Sequence, residues 1–314
     1  MAMNNNNYAI EINGLKKIYN FKKANALEAL KGINLNIPKQ SIFGLLGANG
    51  AGKSTLINII AGLVKKTEGK VSVWGNDIDH NERNAKLSIG VVPQELILDP
   101  FFTPRETLEY QSGYYGVPSK ENCVNEILES VGLSDKADAY ARSLSGGMRR
   151  RLMIGKAMVH RPPILILDEP TAGVDVALRQ SLWQEIKKLN KAGVTIILTT
   201  HYLEEAEAMC DSLAILNKGK IVAEGETNKM LNKLDKKELI ILLEDNDANN
   251  IKLEGVDLEV LNKNQIKITF KPSSINEGKI IEKIYKNGSK IKSINSKEPD
   301  LEELFLELTN NDVN

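Results

Sequence analysis

Residues 47–55 read GANGAGKST and follow the apolar run SIFGLL at 41–46 without a spacer. Beyond them, Leu56, Ile57, Ile59, Ile60 and Leu63 fall near helical spacing. A buried strand, a glycine-rich loop and a helix in immediate succession demand a sheet that covers the strand and receives the helix, which is the α/β class. The spacing is also that of GxxxxGK[ST], a loop that binds phosphate. Its glycines let backbone N–H groups curl round phosphate oxygens without Cβ clashes, and the helix start adds positive potential. Gly47, Asn49, Gly50, Ala51, Gly52, Lys53, Ser54 and Thr55 are therefore candidate nucleotide ligands. In this set Lys53 reaches the β- and γ-phosphates, and the Ser54 hydroxyl is placed to ligate Mg²⁺.

Further apolar runs, ILIL at 164–167, TIILTT at 195–200 and SLAILN at 212–217, read as buried strands of the same sheet. The first ends in Asp168 and Glu169. At a strand edge facing a phosphate loop, Asp168 suits the metal, and Glu169 suits the water that attacks the γ-phosphate. TIILTT delivers His201 to the same edge, where an imidazole can bond the γ-phosphate. Gln94, in GVVPQE, follows another short strand, and its amide oxygen can face Mg²⁺ or water. Residues 95–160 are poor in strands and carry helical patterns near 105–115, 120–131 and 145–160, so a helical subdomain is expected to interrupt the sheet domain.

Inside that segment LSGGMRRRL, residues 144–152, poses a problem. Ser145, Gly146 and Gly147 at a helix start form an anion site, although the phosphate loop already lies elsewhere. Ser145 as a plain N-cap is the alternative, and the two are compatible because both use the same orphan N–H groups. The triplet Arg149, Arg150 and Arg151 is no nucleic-acid stripe, since successive helical residues point about 100° apart. Some of these arginines are expected to pair with local acids, with one near the nucleotide. The chain has 41 basic and 41 acidic residues and so no global cationic field, which argues against nucleic acid as a partner.

The order GANGAGKST, Gln94, LSGGM, ILILDEP, Gly173-Val174-Asp175 and His201 resembles the ATPase subunit of ATP-binding cassette transporters, from residue 8 to about 228. That resemblance implies a P-loop NTPase fold with ATP and Mg²⁺ as ligands. It implies that Tyr19, in LKKIYN, stacks on adenine, and that Ser54, Gln94 and Asp168 hold the metal. Glu169, His201 and Gln94 are then the catalytic set. Two such domains pack head to tail in this family, so Ser145, Gly146 and Gly147 would cap the ATP held by a second copy. Asp175 matches a dimer-contact aspartate, although AGVD replaces the commoner SALD. Phe101 and Phe102, in LDPFFTPRE, are candidates to receive a helix of a separate transmembrane permease; packing in the interior is their other reading.

Met148 stands where importer ATPases usually carry glutamine. With DEPTAGVD and the terminal DLEELFLELT, it makes the chain similar to the export subfamily for drugs, antibiotics, sodium and polysaccharides. The alternatives are an importer ATPase, a soluble cassette protein acting on ribosomes or DNA, and a phosphate-loop kinase. The run LSGGM counts against the kinase, and the lack of a second cassette, coiled coil or zinc cluster counts against the soluble protein.

Residues 229–314 shift to Lys, Asn, Ile and Leu. ELIILLE, QIKITF and KIKSIN suggest strands, and INEGKIIEKIYKNG and DLEELFLELT suggest helices, so a small accessory α+β domain is expected rather than a loose tail. Asn4 to Asn7 suggest a disordered start over residues 1–7. Cys123 and Cys210, the two cysteines, lie far apart in sequence and outside any metal or redox motif, so free thiols in a reducing compartment are expected. No run of about 18 apolar residues and no signal-like start is present. The expected location is cytoplasmic, peripheral on the inner face of the plasma membrane through the permease.

Overall fold

The structure is a computed structural model that describes residues 7–310, apart from 22, 24, 119, 122, 245–247, 249, 250 and 252. The expected disordered start therefore falls, but for residue 7, outside the described residues. The chain divides into two compact units, Met1–Glu226 and Thr227–Asn314.

The first unit contains two sheets. One is antiparallel, with the order β2-β1-β4-β5, built from β1 (Tyr8–Tyr19), β2 (Leu27–Pro38), β4 (Glu68–Val73) and β5 (Asn76–Asp77). The other has the order β10-β9-β3-β8-β7-β6. Its strands are β3 (Ile42–Leu46), β6 (Ile89–Val92), β7 (Ile164–Asp168), β8 (Thr195–Thr200), β9 (Ser212–Asn217) and β10 (Lys220–Glu226). From β9 to β6 every neighbouring pair is parallel, and β10 closes one edge antiparallel to β9. Ile164 to Leu167 and all of β8 are buried, so these strands lie covered on both faces and read as unbroken apolar runs instead of alternating ones. One core cluster joins Ile10, Ile12 and Leu35 of the antiparallel sheet to Phe43, Ile164 and Ile166 of the parallel sheet. The helix α1 (Lys53–Ile60) adds Leu56, Ile59 and Ile60 to it. Leu63 lies beyond the helix and is 72% exposed, unlike the other members of its sequence pattern.

After α2 (Glu82–Leu87) and β6 the chain leaves the sheet for α3 (Pro104–Tyr114), α4 (Val124–Ser130) and α5 (Gly146–Met158), and it returns at β7. Thr103 and Glu106 close a reciprocal capping box on α3, with Pro104 in its first turn. These helices share a separate core around Leu108, Ile127, Leu128 and Leu152. The segment is held to the sheet where the backbone of α5 meets β6: a Cβ at Gly90 would lie 2.3 Å from the Ala157 carbonyl oxygen. Two further helices, α6 (Val176–Lys191) and α7 (Leu203–Met209), follow β7 and β8.

The second unit starts with α8 (Thr227–Asn232) and contains a fully antiparallel sheet of order β12-β13-β11-β14. Its strands are β11 (Lys237–Leu243), β12 (Asp257–Asn262), β13 (Gln265–Phe270) and β14 (Ile291–Lys297), with helices α9 (Glu277–Lys286) and α10 (Leu301–Asn310). Ile266, Ile268 and Phe270 alternate onto one face, and Ile280 and Ile284 of α9 belong to the same core. The polar face carries Glu238 between Lys236 and Lys267, 3.4 and 3.1 Å away.

Gly90→Ala is expected to lower the unfolding free energy by about 1–3 kcal/mol, as overpacking does. Urea unfolding measures this, and an unchanged midpoint would mean that α5 is not seated against β6.

Candidate nucleotide site

Parallel pairing sends the carboxyl ends of β3, β6, β7 and β8 to one edge, the usual crevice for ligands in such sheets. There a cleft of about 510 Å³ is lined by Tyr19, Asn49, Gly50, Gly52, Lys53, Ser54, Thr55, Gln94, Asp168 and Glu169. These residues come from four separate stretches of sequence, and the fold assembles them. Gly47 and Ala51 are buried members of the loop beside the cleft.

Gly52 occupies the N-cap of α1 and offers no side-chain cap, which leaves the first-turn N–H groups of that helix to other acceptors. Lys53 is 7% exposed and donates to the carbonyl oxygens of Gly47 and Ala48, at 2.7 and 3.2 Å, which fastens the loop to its own lysine. Burial pushes its ammonium below the usual lysine range, against the opposing pull of Glu169 and Asp168. Tyr19 places its hydroxyl 3.4 Å from Thr55 Oγ1, and Lys17 Nζ stands 4.7 Å from the ring centroid.

Asp168 and Glu169 close β7. The Thr199 hydroxyl donates to Asp168 Oδ1 at 2.5 Å and accepts from the Glu169 N–H at 3.0 Å, so one β8 side chain orients both acids. Glu169 has φ +46°, a conformation that L-residues rarely adopt and that persists where the surroundings over-determine it. Its carboxylate is bracketed: Gln94 Nε2 donates to Oε2 at 3.1 Å, and His201 Nδ1 lies 3.2 Å from Oε1. The structure thus brings together Lys53, Gln94, Asp168, Glu169 and His201.

It does not bring LSGGM to that cluster. Ser145 and Gly146 are exposed, and neither they nor Gly147 line the cleft. Ser145 N-caps α5, its Oγ accepting from the Met148 N–H at 3.2 Å. Gly147 packs against α6, where a Cβ would come 2.3 Å from Leu178 Cδ1 and make that side chain move; at Gly146 a Cβ would meet nothing within 4 Å. Asp175 is exposed and caps α6 through the Leu178 N–H at 2.9 Å.

Arg150 and Arg151 depart from the expected pairing with acids, although Arg150 does reach the edge of the cleft. Arg150 is buried and donates to the carbonyl oxygens of Gln94 and Pro93, at 2.8 and 3.4 Å; Arg151 donates to those of Val131 and Gly132. Their recorded partners are carbonyls rather than acids, because α5 runs past loop backbone whose acceptors need donors in the interior. Arg150 thereby ties α5 to the Gln94 loop, a link that no sequence spacing shows. Sequence reasoning also missed Thr199, Lys31, Lys218 and Gly219; the last three line the cleft. The Lys218-Gly219 turn between β9 and β10 was the one local signal available for any of them.

Phe101 is 66% exposed, and Phe102 is 37% exposed with its ring stacked on Tyr110 at 4.9 Å, so interior packing does not describe them. Both cysteines are buried and neither forms a disulfide, and burial pushes the Cys210 thiol up to about 12. Among the described residues no helix is long and apolar enough to cross a membrane.

A family profile described as ABC transporter matches residues 30–172. The linearmycin resistance ATP-binding protein of Bacillus subtilis is 36% identical over 92% of this chain and 96% of that protein. The chain belongs to the ABC transporter ATPase family. The Nod factor export ATP-binding protein I of a Rhizobium species is 40% identical over 71% of this ABC ATPase and 72% of that protein. Among solved structures, a dimeric ATP-binding cassette in a post-hydrolysis state, bound to ADP and Pi, matches with a TM-score of 0.61 and 28% identity, over 69% of this chain and 98% of that one. The enzyme is an ATPase that binds ATP and cleaves it to ADP and phosphate.

Removal of the buried ammonium by Lys53→Ala is expected to weaken ATP binding by about 10- to 100-fold, the scale of a lost charge-assisted bond. Calorimetric titration with ATP reads this, and an unchanged affinity would refute the assignment of Lys53 to the phosphates.

Proposed function

We propose that this ATPase energises an export transporter whose membrane-spanning permease is a separate chain, through ATP-driven closure of a dimer of nucleotide domains. The observation that carries this reading is the Glu169 carboxylate held between Gln94 and His201 beside the phosphate loop. The names of the relatives, one for resistance to linearmycin and others for Nod factor export, favour export over import.

Within one copy, Lys53 and the loop N–H groups neutralise the phosphates, and Tyr19 stacks on the adenine through the ring face away from Lys17. Glu169 accepts the proton of the water that attacks the γ-phosphorus, while the bond to the ADP oxygen breaks. His201 bonds the γ-phosphate and Gln94 orients the water. Ser54, Asp168 and Gln94 offer hard oxygen donors that line the same cleft, a set that fits Mg²⁺. When bound, that ion would supply positive charge that neutralises the phosphates.

Ser145, Gly146 and Gly147 complete the site of a second copy. The exposed start of α5, with the open space at Gly146, supports this reading. Asp175 caps α6 and is exposed, which leaves it open to a dimer contact. ATP then contacts both copies and holds them together, and cleavage removes that bridge and lets them part.

The permease supplies the membrane location, on the cytoplasmic face of the plasma membrane. Phe101 and Phe102 are exposed aromatics of the kind that anchor partner helices. A groove of about 440 Å³, lined by Leu63, Ile97, Gln111 and Tyr115 among others, suits an amphipathic helix.

Glu169→Gln is expected to bind ATP, lose at least about 100-fold in turnover, and elute as a dimer with ATP and Mg²⁺ on size exclusion. Elution as a monomer alone would sink the closure mechanism. Alanine at both Phe101 and Phe102 is expected to abolish stimulation by the membrane protein that co-purifies in detergent; intact stimulation would remove those residues from the interface.

A further inference from the structure

Glu205, on α7, is a carboxylate that is 1% exposed and lies outside the nucleotide cleft. The Thr171 hydroxyl donates to it and lies 2.6 Å from each of its oxygens. The Thr200 hydroxyl donates to Oε2 at 3.2 Å and accepts from the Tyr202 N–H at 2.9 Å. Arg179 Nε of α6 lies 3.5 Å from Oε1. Thr171 and Thr200 are themselves 1% exposed. An ionised carboxylate in such a place is costly, and its removal leaves several buried partners unsatisfied at once.

The positions of those partners give the carboxylate its meaning. Thr171 is two residues beyond Glu169, whose left-handed backbone must be held by its surroundings. Thr200 is the residue immediately before His201. Glu205 therefore joins, through one side chain, the segments that carry the two groups meeting at 3.2 Å beside the phosphate loop.

We propose that Glu205 is a positioning residue for ATP cleavage: it fastens the segment after Glu169 to the end of β8 and so fixes the approach of the Glu169 carboxylate to the His201 imidazole. It touches no reacting atom. The inference rests on the reading that Glu169 and His201 act at the γ-phosphate. A displacement of either by a fraction of an ångström would show in the chemical step rather than in nucleotide binding, because Lys53 and the loop bind the phosphates independently.

The test measures steady-state ATP turnover of the full chain for Glu205→Gln, Thr171→Val and Thr171→Ser, each alone and combined with His201→Ala. Expected is a fall in kcat of about tenfold or more for Glu205→Gln and Thr171→Val, with KM within about twofold and most of the rate kept by Thr171→Ser. In the His201→Ala background the Glu205→Gln loss should shrink to under about threefold, since one member of the pair whose approach it fixes is gone. Unchanged kcat in both Glu205→Gln and Thr171→Val, or losses that multiply fully with that of His201→Ala, would overturn the proposal. If Glu205→Gln does not fold, the Thr171→Val and Thr171→Ser pair decides it. Full turnover in Glu169→Gln and His201→Ala themselves would instead refute the underlying reading of the site.

Discussion

Parallel hydrogen bonding between β9, β3, β8, β7 and β6 is the constraint on which the rest depends, because strands paired in one direction must end on one edge. The phosphate loop, the acidic pair, His201 and Gln94 each follow one of those ends. The strands are covered on both sides by helices or the antiparallel sheet, which makes the edge rigid. Groups delivered from distant parts of the sequence can therefore meet within hydrogen-bond distance.

On that edge the charges are balanced locally. Lys53 stands against Asp168 and Glu169, and its burial works against its own charge while the two acids support it. Thr199 holds both acids from the neighbouring strand, and Arg150 reaches from α5 to the backbone of the Gln94 loop. That last bond is a physical link between the helical segment and the Glu169 carboxylate, since the Gln94 side chain in turn touches Glu169. A shift of the helical segment on its partners would thus be felt at the Glu169 carboxylate.

Much of this architecture was legible because its signals are local. A strand, glycines and a helix in direct succession leave little freedom, and ILIL, TIILTT and SLAILN each match an observed strand. The helical patterns near 105–115, 120–131 and 145–160 match α3, α4 and α5 within a few residues. The antiparallel sheet was not legible, because β1 bonds to β4 across more than fifty residues and neither strand carries a turn that announces its partner. Thr199, Thr171 and Glu205 escaped for a related reason: a threonine in a strand is unremarkable until the acid it faces is known. The arginine triplet misled because charge suggests acids, whereas a buried loop offers carbonyls.

By itself the sequence determined the α/β class, the phosphate loop and which acids and imidazole end up at the same sheet edge, since periodicity and spacing are properties of contiguous residues. Only the tertiary structure decided that Gln94 and His201 bracket Glu169, that Thr199 orients both acids, and that Glu205 ties their segments together. Those are distances between residues remote in the chain, and they exist only once the sheet has set its register.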